Sequence, residues 1–417
     1  MPAKQPLNAR SLALRTLREV SQGGFASESI DQTLGKHPLT EAERGLFTQL
    51  VYGVLRERGF LDQILARYIS KAKTPDALLD LLRLAAYQCL SLDKVPDYAA
   101  VNEAVELAKG KYGPGAGRLV NAVLRGLLRD QSEIGATLGQ GRLESYPEWM
   151  LRRWRRRYSK DQLQAMLEYF SAPAPLWARV NPAKSSAENL HRELGENPDP
   201  DSVEGLLNLG RCDRSLWLKW MEDGWISIQD RHSFQVAMAL APKEGEKILD
   251  ACAGHGGKSS ALAEASPEIE LFVHDPSTER LRQLAENFKR LGHRQPTLIE
   301  NPGSAVTRGL SFDAILIDAP CSGMGTLGRK PEIRWRLKPA DLERLAFKQR
   351  SILEEWLPAL KDGGRMVYAV CSLEPEEGSA NVAAFLGKHP ELTLEKEMEL
   401  CPEPGMGDGF YLASLRK

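Results

Sequence analysis

From Gly224 to the carboxyl terminus the chain alternates short apolar runs with turns and helix-length stretches, and this pattern restricts the fold more than any other feature. The runs at 247–250, 271–274, 297–299, 312–317 and 365–370 are too short for buried helices and read as strands. Apolar strands separated by helices pair in parallel with both faces covered, so a doubly wound α/β sheet is expected. The tail Gly409-Phe410-Tyr411-Leu412-Ala413-Ser414-Leu415 reads as a last strand, antiparallel to its neighbour. In such a sheet, ligands bind beyond the carboxyl ends of the strands.

Upstream the pattern is helical. Over 8–130 apolar residues recur at helical spacing, as in Leu46, Phe47, Leu50, Val51, Val54 and Leu119, Val120, Val123, Leu124, Leu127. Turn chemistry breaks the run at Gly23-Gly24, Lys73-Thr74-Pro75-Asp76 and Gly113-Pro114-Gly115. A helical connector over about 131–172 ends at Ala172-Pro173-Ala174-Pro175, and 176–222 mixes short apolar segments with turns. The expected organisation is multidomain: an all-α bundle over 1–135, a helical connector with a small α+β domain over 136–222, and an α/β Rossmann-like domain over 223–417.

The net charge of −1 hides an asymmetry, since residues 1–160 carry 25 Lys and Arg against 17 Asp and Glu. The densest run, Arg152-Arg153-Trp154-Arg155-Arg156-Arg157-Tyr158, suits phosphate contacts with base stacking, or else is a solvated helix face. Six scattered cysteines form no Cys-x-x-Cys pair and no metal spacing with the seven histidines, so a reduced, cytoplasmic protein without bound metal is expected. The opening Met1-Pro2-Ala3-Lys4-Gln5-Pro6 lacks an apolar core, and no later run is long enough to span a bilayer; neither signal peptide nor membrane segment is expected.

Two cysteines end predicted strands, in Asp318-Ala319-Pro320-Cys321-Ser322-Gly323 and Tyr368-Ala369-Val370-Cys371-Ser372-Leu373. Both sulfurs are therefore expected to face one crevice. Cys89, Cys212 and Cys401 read as small apolar residues, and Cys252 stays ambiguous beside a glycine-rich loop. That loop, Ala251-Cys252-Ala253-Gly254-His255-Gly256-Gly257-Lys258-Ser259-Ser260, lets backbone approach a ligand, and a helix N-terminus with Lys258 can receive a carboxylate. The second strand ends in His274-Asp275, where an acidic side chain holds a ribose diol or, alternatively, caps the helix beginning at Ser277-Thr278-Glu279. His255 and His274 read as incidental loop residues.

Two thiols beside a nucleoside-bearing cofactor suit one chemistry. Carbon 5 of a pyrimidine becomes nucleophilic when a thiolate adds to carbon 6, and can then attack an electrophilic methyl group. A base must remove the carbon-5 proton before the thiolate leaves. Asp318 is placed to hydrogen-bond the ring nitrogen or amino group of a cytosine.

On these residues the chain resembles the RNA cytosine-C5 methyltransferases. Pro320-Cys321 and Val370-Cys371-Ser372 match that family's two cysteine motifs, as do Arg329-Lys330-Pro331-Glu332-Ile333-Arg334-Trp335, Asp408-Gly409-Phe410-Tyr411, Arg179-Val180-Asn181 and Gly224-Trp225-Ile226-Ser227-Ile228-Gln229-Asp230. The first 135 residues look like a NusB-like RNA-binding domain in stretches such as Leu50-Val51-Tyr52-Gly53-Val54-Leu55-Arg56 and Val120-Asn121-Ala122-Val123-Leu124-Arg125. The resemblance implies S-adenosylmethionine as cofactor, held by Cys252, Ala253, Gly254, His255, Gly256, Gly257, Lys258, Asp275, Asn301 and Asp318. It implies Cys371 as nucleophile, Cys321 as the release residue and Asp318 beside them, acting on small-subunit 16S ribosomal RNA; a monomer is expected. Gly254-His255 replaces the usual Ala-Pro, Val370 replaces threonine, and Asn301 in Glu300-Asn301-Pro302-Gly303 stands where an acid is usual. Rival readings are a tRNA methyltransferase, a non-catalytic RNA-binding factor and, least favoured, a dinucleotide oxidoreductase, which the glycine spacing does not suit.

Overall fold

The computed structural model describes residues 8–92, 95–134, 145–193, 205–210, 212–301, 303 and 309–417; the opening Met1-Pro6 and Pro302 lie outside them. The chain forms two compact units, Met1–Ala172 with Leu327–Leu337, and Pro173–Thr326 with Lys338–Lys417.

The first unit is helical: α1 (Ala9–Ser21), α2 (Ala26–Lys36), α3 (Glu41–Leu65), α4 (Asp76–Ser91), α5 (Asp97–Tyr112), α6 (Pro114–Arg129), α7 (Glu148–Arg157) and α8 (Lys160–Ser171). Local chemistry sets their ends. Thr40 and Glu43 form a capping box at the start of α3, and Pro114 occupies the first turn of α6 behind Gly113 at φ +85°. One apolar core runs through Leu12, Phe47, Leu50, Leu82, Val120 and Leu124, whereas Leu119 of the expected stripe is 39% exposed. The helical unit continues past 135 because α7 and α8 turn aromatic faces inward: Trp154 packs against Tyr146 at 5.7 Å and Phe170 at 6.1 Å.

That packing corrects one expectation. Trp154 is 1% exposed and cannot stack on a base, so the run on α7 offers Arg152 and Arg156 outward but not its tryptophan. A second difference concerns Leu327–Leu337, which sequence places in the α/β domain. Its Arg334 is fully buried and donates to the carbonyls of Arg56 and Phe170 over the Tyr146 ring; Trp335 donates to the Leu55 carbonyl, and Glu332 accepts from the Ala26 N–H.

The second unit carries two sheets. The smaller is antiparallel, in the order β2 (Leu206–Asn208), β1 (Trp177–Val180), β3 (Ile226–Ile228), with helices α9 (Ala187–Glu193) and α10 (Arg214–Glu222). The larger comprises β4 (Lys247–Asp250), β5 (Glu270–Val273), β6 (Thr297–Leu298), β7 (Phe312–Asp318), β8 (Leu360–Val370), β9 (Thr393–Leu400) and β10 (Phe410–Arg416), in the order β6-β5-β4-β7-β8-β10-β9. Strands β4 to β8 run parallel, and β10 returns antiparallel to β8. The charged edge strand β9 gave no strand signal, because alternation with Glu395, Lys396, Glu397 and Glu399 leaves it mostly exposed. Strand order reverses between β4 and β7, the point at which an α/β sheet opens a ligand crevice. Helices α11 (Arg231–Met238), α12 (Gly257–Ala265), α13 (Thr278–Leu291), α14 (Pro339–Trp356) and α15 (Ser379–Leu386) complete the unit.

Candidate active site

Strand β4 delivers the glycine loop to the crevice. Gly254 (φ +53°) and Gly256 (φ +84°) both occupy left-handed conformations, and Gly256 caps α12. A Cβ on Gly256 would lie 2.6 Å from Leu284 Cγ, so that glycine is required by packing as well as by φ. Around Gly254 and Gly257, by contrast, a Cβ would meet nothing within 4 Å, which leaves open room beside the loop. Gly256 supplies no side-chain cap, so the N-terminus of α12 is an anion-receptive end.

Asp275 is buried at the end of β5, and its oxygens accept from Gly254 N (3.1 Å) and Ser277 N (2.8 Å). Ser277 itself caps α13. Asp275 thus bridges the glycine loop and the start of α13, and each of its oxygens retains an acceptor lone pair for a diol. His274 donates from Nδ1 to the Ile299 carbonyl against Trp356, a packing role, and His255 is exposed. Asn301 follows β6 at the surface. Asp250, fully buried, accepts from the Ser259 hydroxyl at 2.6 Å; burial pushes its carboxyl up to about 6, with that hydrogen bond opposing.

Lys258 does not stand open to a ligand carboxylate. Its Nζ lies 2.6 Å from Asp318 Oδ2 and over the Phe410 ring. Burial alone would lower the ammonium, but Asp318 outweighs it and holds Lys258 above its ordinary value. The loop, Asp275 and Asp318 therefore combine backbone donors, buried acceptors and room, a donor set that fits S-adenosylmethionine.

The two thiols meet. Parallel pairing sets Asp318 opposite Ala369, and Ala319 N donates to the Ala369 carbonyl, so Cys321 and Cys371 leave adjacent strands together. Their sulfurs are 3.2 Å apart. The Cys371 hydrogen bond, then burial, then the nearby Glu377 carboxylate hold the Cys321 thiol well above its usual range. Burial raises Cys252 likewise, so that cysteine is a poor nucleophile. Among the described residues no three His, Cys, Asp or Glu side chains are grouped to hold a metal ion, and no helix is long and apolar enough to cross a membrane.

Sequence reasoning missed what surrounds the thiols. Gln349, Glu377 and Asn381 are buried there with Tyr368 and the motif serines Ser322 and Ser372, and the one signal of Glu377 was that Glu374-Pro375-Glu376-Glu377 is acidic directly after a cysteine motif.

Known proteins resemble this chain over nearly its whole length. A family model described as 16S rRNA methyltransferase RsmB/F matches residues 237–416, a NusB family model matches 7–129, and a ferredoxin-like domain of RsmF/B-like methyltransferases matches 146–198. A probable ribosomal RNA small subunit methyltransferase B from Synechocystis is 32% identical, covering 99% of this chain and 100% of that protein. The chain belongs to the ribosomal RNA small subunit methyltransferase B family. The family's member in Citrobacter koseri is 33% identical over 98% of this chain and 99% of its own. The solved protein PH0851 shares the fold, with a TM-score of 0.80 at 23% identity, covering 99% of this chain and 100% of that one. The chain is thus a NusB helical region, a ferredoxin-like domain and a Rossmann-like methyltransferase domain, and the methyl donor of this family is S-adenosylmethionine.

Proposed function

We propose that this methyltransferase acts on carbon 5 of a cytosine in small-subunit ribosomal RNA through a covalent adduct on Cys371, as a cytoplasmic monomer. The observation that carries the reading is the 3.2 Å pair of thiols at the ends of β7 and β8, beside Asp318. When bound, S-adenosylmethionine supplies an electrophilic methyl group. Asp275 receives its ribose diol, the first turn of α12 its carboxylate, and the loop from Cys252 to Lys258 its remaining surface, with Asn301 at the adenine side.

The Cys371 thiolate forms a bond to carbon 6 of the cytosine, and carbon 5 gains the electron density with which it takes the methyl group. Asp318, held by Lys258, hydrogen-bonds the cytosine edge where charge develops. Cys321 then removes the carbon-5 proton, the carbon 6–sulfur bond breaks, and the Cys371 thiolate departs. The hydrogen bond and charge of Cys371 that help hold the Cys321 proton are lost once Cys371 is bonded to carbon 6, so Cys321 then gives its proton to solvent and, as the thiolate, takes the one from carbon 5. Bisulfite sequencing of small-subunit rRNA from cells with and without the protein tests the product: a single cytosine that loses protection on deletion supports the reading, and an unchanged rRNA with a changed tRNA overturns the substrate.

A further inference from the structure

The thiol pair needs something to keep two loops from separating, since neither cysteine lies inside the strand ladder. Gly325 N donates to the Cys371 carbonyl at 3.0 Å, and one side chain also spans both loops, nearer the sulfur of Cys321. Glu377 is fully buried, six residues after Cys371, and its carboxylate accepts from Ser322 N (2.8 Å), from the Ser322 hydroxyl and from Gln349 Nε2 (3.0 Å). Ser322 is the residue after Cys321. Glu377 therefore grips the backbone of one cysteine turn while belonging to the loop of the other.

Its surroundings are arranged to hold it in place. Gln349 of α14 also donates to the Pro320 carbonyl at 3.1 Å, and its Oε1 accepts from Tyr368 and from Asn381. Tyr368, in β8, shares its single hydroxyl proton between Gln349 Oε1 and the nearer Glu377 carbonyl. The Ser322 and Ser372 hydroxyls lie 3.2 Å apart, and Ser372 Oγ accepts from Glu374 N. Glu377, Gln349, Ser372 and Asn381 are each 0% exposed, so every member is costly to leave unpaired and the network has little freedom to rearrange.

We propose that Glu377 is a positioning residue for the two-thiol chemistry: it sets the Cys321–Cys371 separation and is needed for release of the adduct rather than for its formation. Cys371 is reached directly from β8 and keeps its place without Glu377. Cys321 sits on a turn held at Pro320 and Ser322 by Gln349 and Glu377 and farther along by Gly325 N on the Cys371 carbonyl, so loss of the carboxylate frees the Cys321 end of the turn and moves the release residue away from the attacking one while the loops stay joined. This inference rests on the proposed roles of the two thiols, and its test has an arm that does not.

In the full-length protein without RNA, diamide takes two electrons and two protons from paired thiols and leaves a disulfide. The rate at which the Cys321–Cys371 peptide forms, followed by mass spectrometry, measures how often the sulfurs meet. Glu377→Ala is expected to slow this by about 10- to 100-fold, the size of effect expected from a displacement near 1 Å. Glu377→Gln, which keeps an acceptor for Ser322 N, recovers part of the rate. With substrate RNA, Glu377→Ala accumulates protein–RNA adduct on a denaturing gel while the adduct forms at the normal rate. Calorimetric binding of S-adenosylmethionine at normal affinity reports an intact fold; if that is lost, Ser322→Ala and Glu377→Gln are read instead, with a smaller change of the same sign. Unchanged cross-linking and release in the folded variants overturn the proposal. Slower cross-linking with no RNA adduct in any variant supports the positioning role and overturns the covalent mechanism instead.

Discussion

The loop after β4 and the thiol loops after β7 and β8 stand at the same end of one sheet but are held in different ways. In the first, near neighbours shape the turn: glycines take left-handed conformations, Ser259 closes on Asp250 nine residues earlier, and Asp275 reaches back 21 residues to Gly254, while the far partners Arg179 and Asp318 meet only the start of α12, at Gly257, Ser260 and Lys258. In the second, the decisive bonds join residues 28 to 55 apart, Gln349 to Glu377 and Ser322 to Glu377, through fully buried side chains. A cofactor loop of this kind is a turn problem, solved by residue type. A reacting pair on two strands is a packing problem, solved by tertiary contacts.

The largest effects are expected at the thiols. Cys371→Ala should reduce methylation to background with no adduct, and Cys321→Ala should allow a single round and leave RNA covalently attached; a denaturing gel with labelled RNA reads both. A slow band with Cys371→Ala and none with Cys321→Ala would reverse the assignment.

On the loop side, Gly256→Ala forces a side chain into φ +84° and against Leu284, costing about 1–3 kcal/mol in thermal or denaturant unfolding. Asp275→Ala should weaken S-adenosylmethionine by about 10- to 100-fold in calorimetry, the worth of hydrogen bonds to a charged group. Both should leave diamide cross-linking of the thiols untouched. If either slows it, the two regions are not independent.

Asp250 gives a pH signature. Its folded-state value of about 6 stands above the ordinary 3.8, so its contribution to stability is full below the ordinary value and is lost as pH rises through about 6. The loss is at most about 3 kcal/mol. Asp250→Asn should flatten the change in stability between pH 4 and 7 measured by urea unfolding, and an unaltered profile would refute this origin. The smallest effect is expected from Arg152→Glu with Arg156→Glu on α7. RNA affinity should fall several-fold and the salt slope should shrink by about 0.7–0.9 for each phosphate no longer neutralised, with cofactor binding unchanged.

Deleting residues 1–135 is a poorer probe of the same question. Arg334 and Trp335 donate to the carbonyls of Arg56 and Leu55, so the deletion strands a buried guanidinium and an indole along with any RNA surface. Nothing in the motif around Trp335 announced this. Its residues match a family pattern, but a motif carries no address for its packing partner.

Legibility followed the range of the interactions. Cys321 and Cys371 were recognisable as a pair because an apolar strand followed by turn residues marks its own carboxyl end. The glycines beside Lys258 mark it as a ligand-facing cation; that it faces Asp318, 60 residues away, depends on β7 pairing beside β4. Trp154 looked accessible among five arginines until helix periodicity, expressed against Tyr146 and Phe170, turned it inward.

By itself the sequence determined the strand and helix alternation, the left-handed turn of the cofactor loop and the chemical identity of both thiols, because each depends on residue type and near neighbours. Only the tertiary structure decided that the two sulfurs come within 3.2 Å, that Glu377 is the buried clasp holding them, and that Leu327–Leu337 packs among helices. Those outcomes depend on which distant groups satisfy one another's buried hydrogen bonds, and that pairing exists only once the whole sheet and its covering helices are assembled.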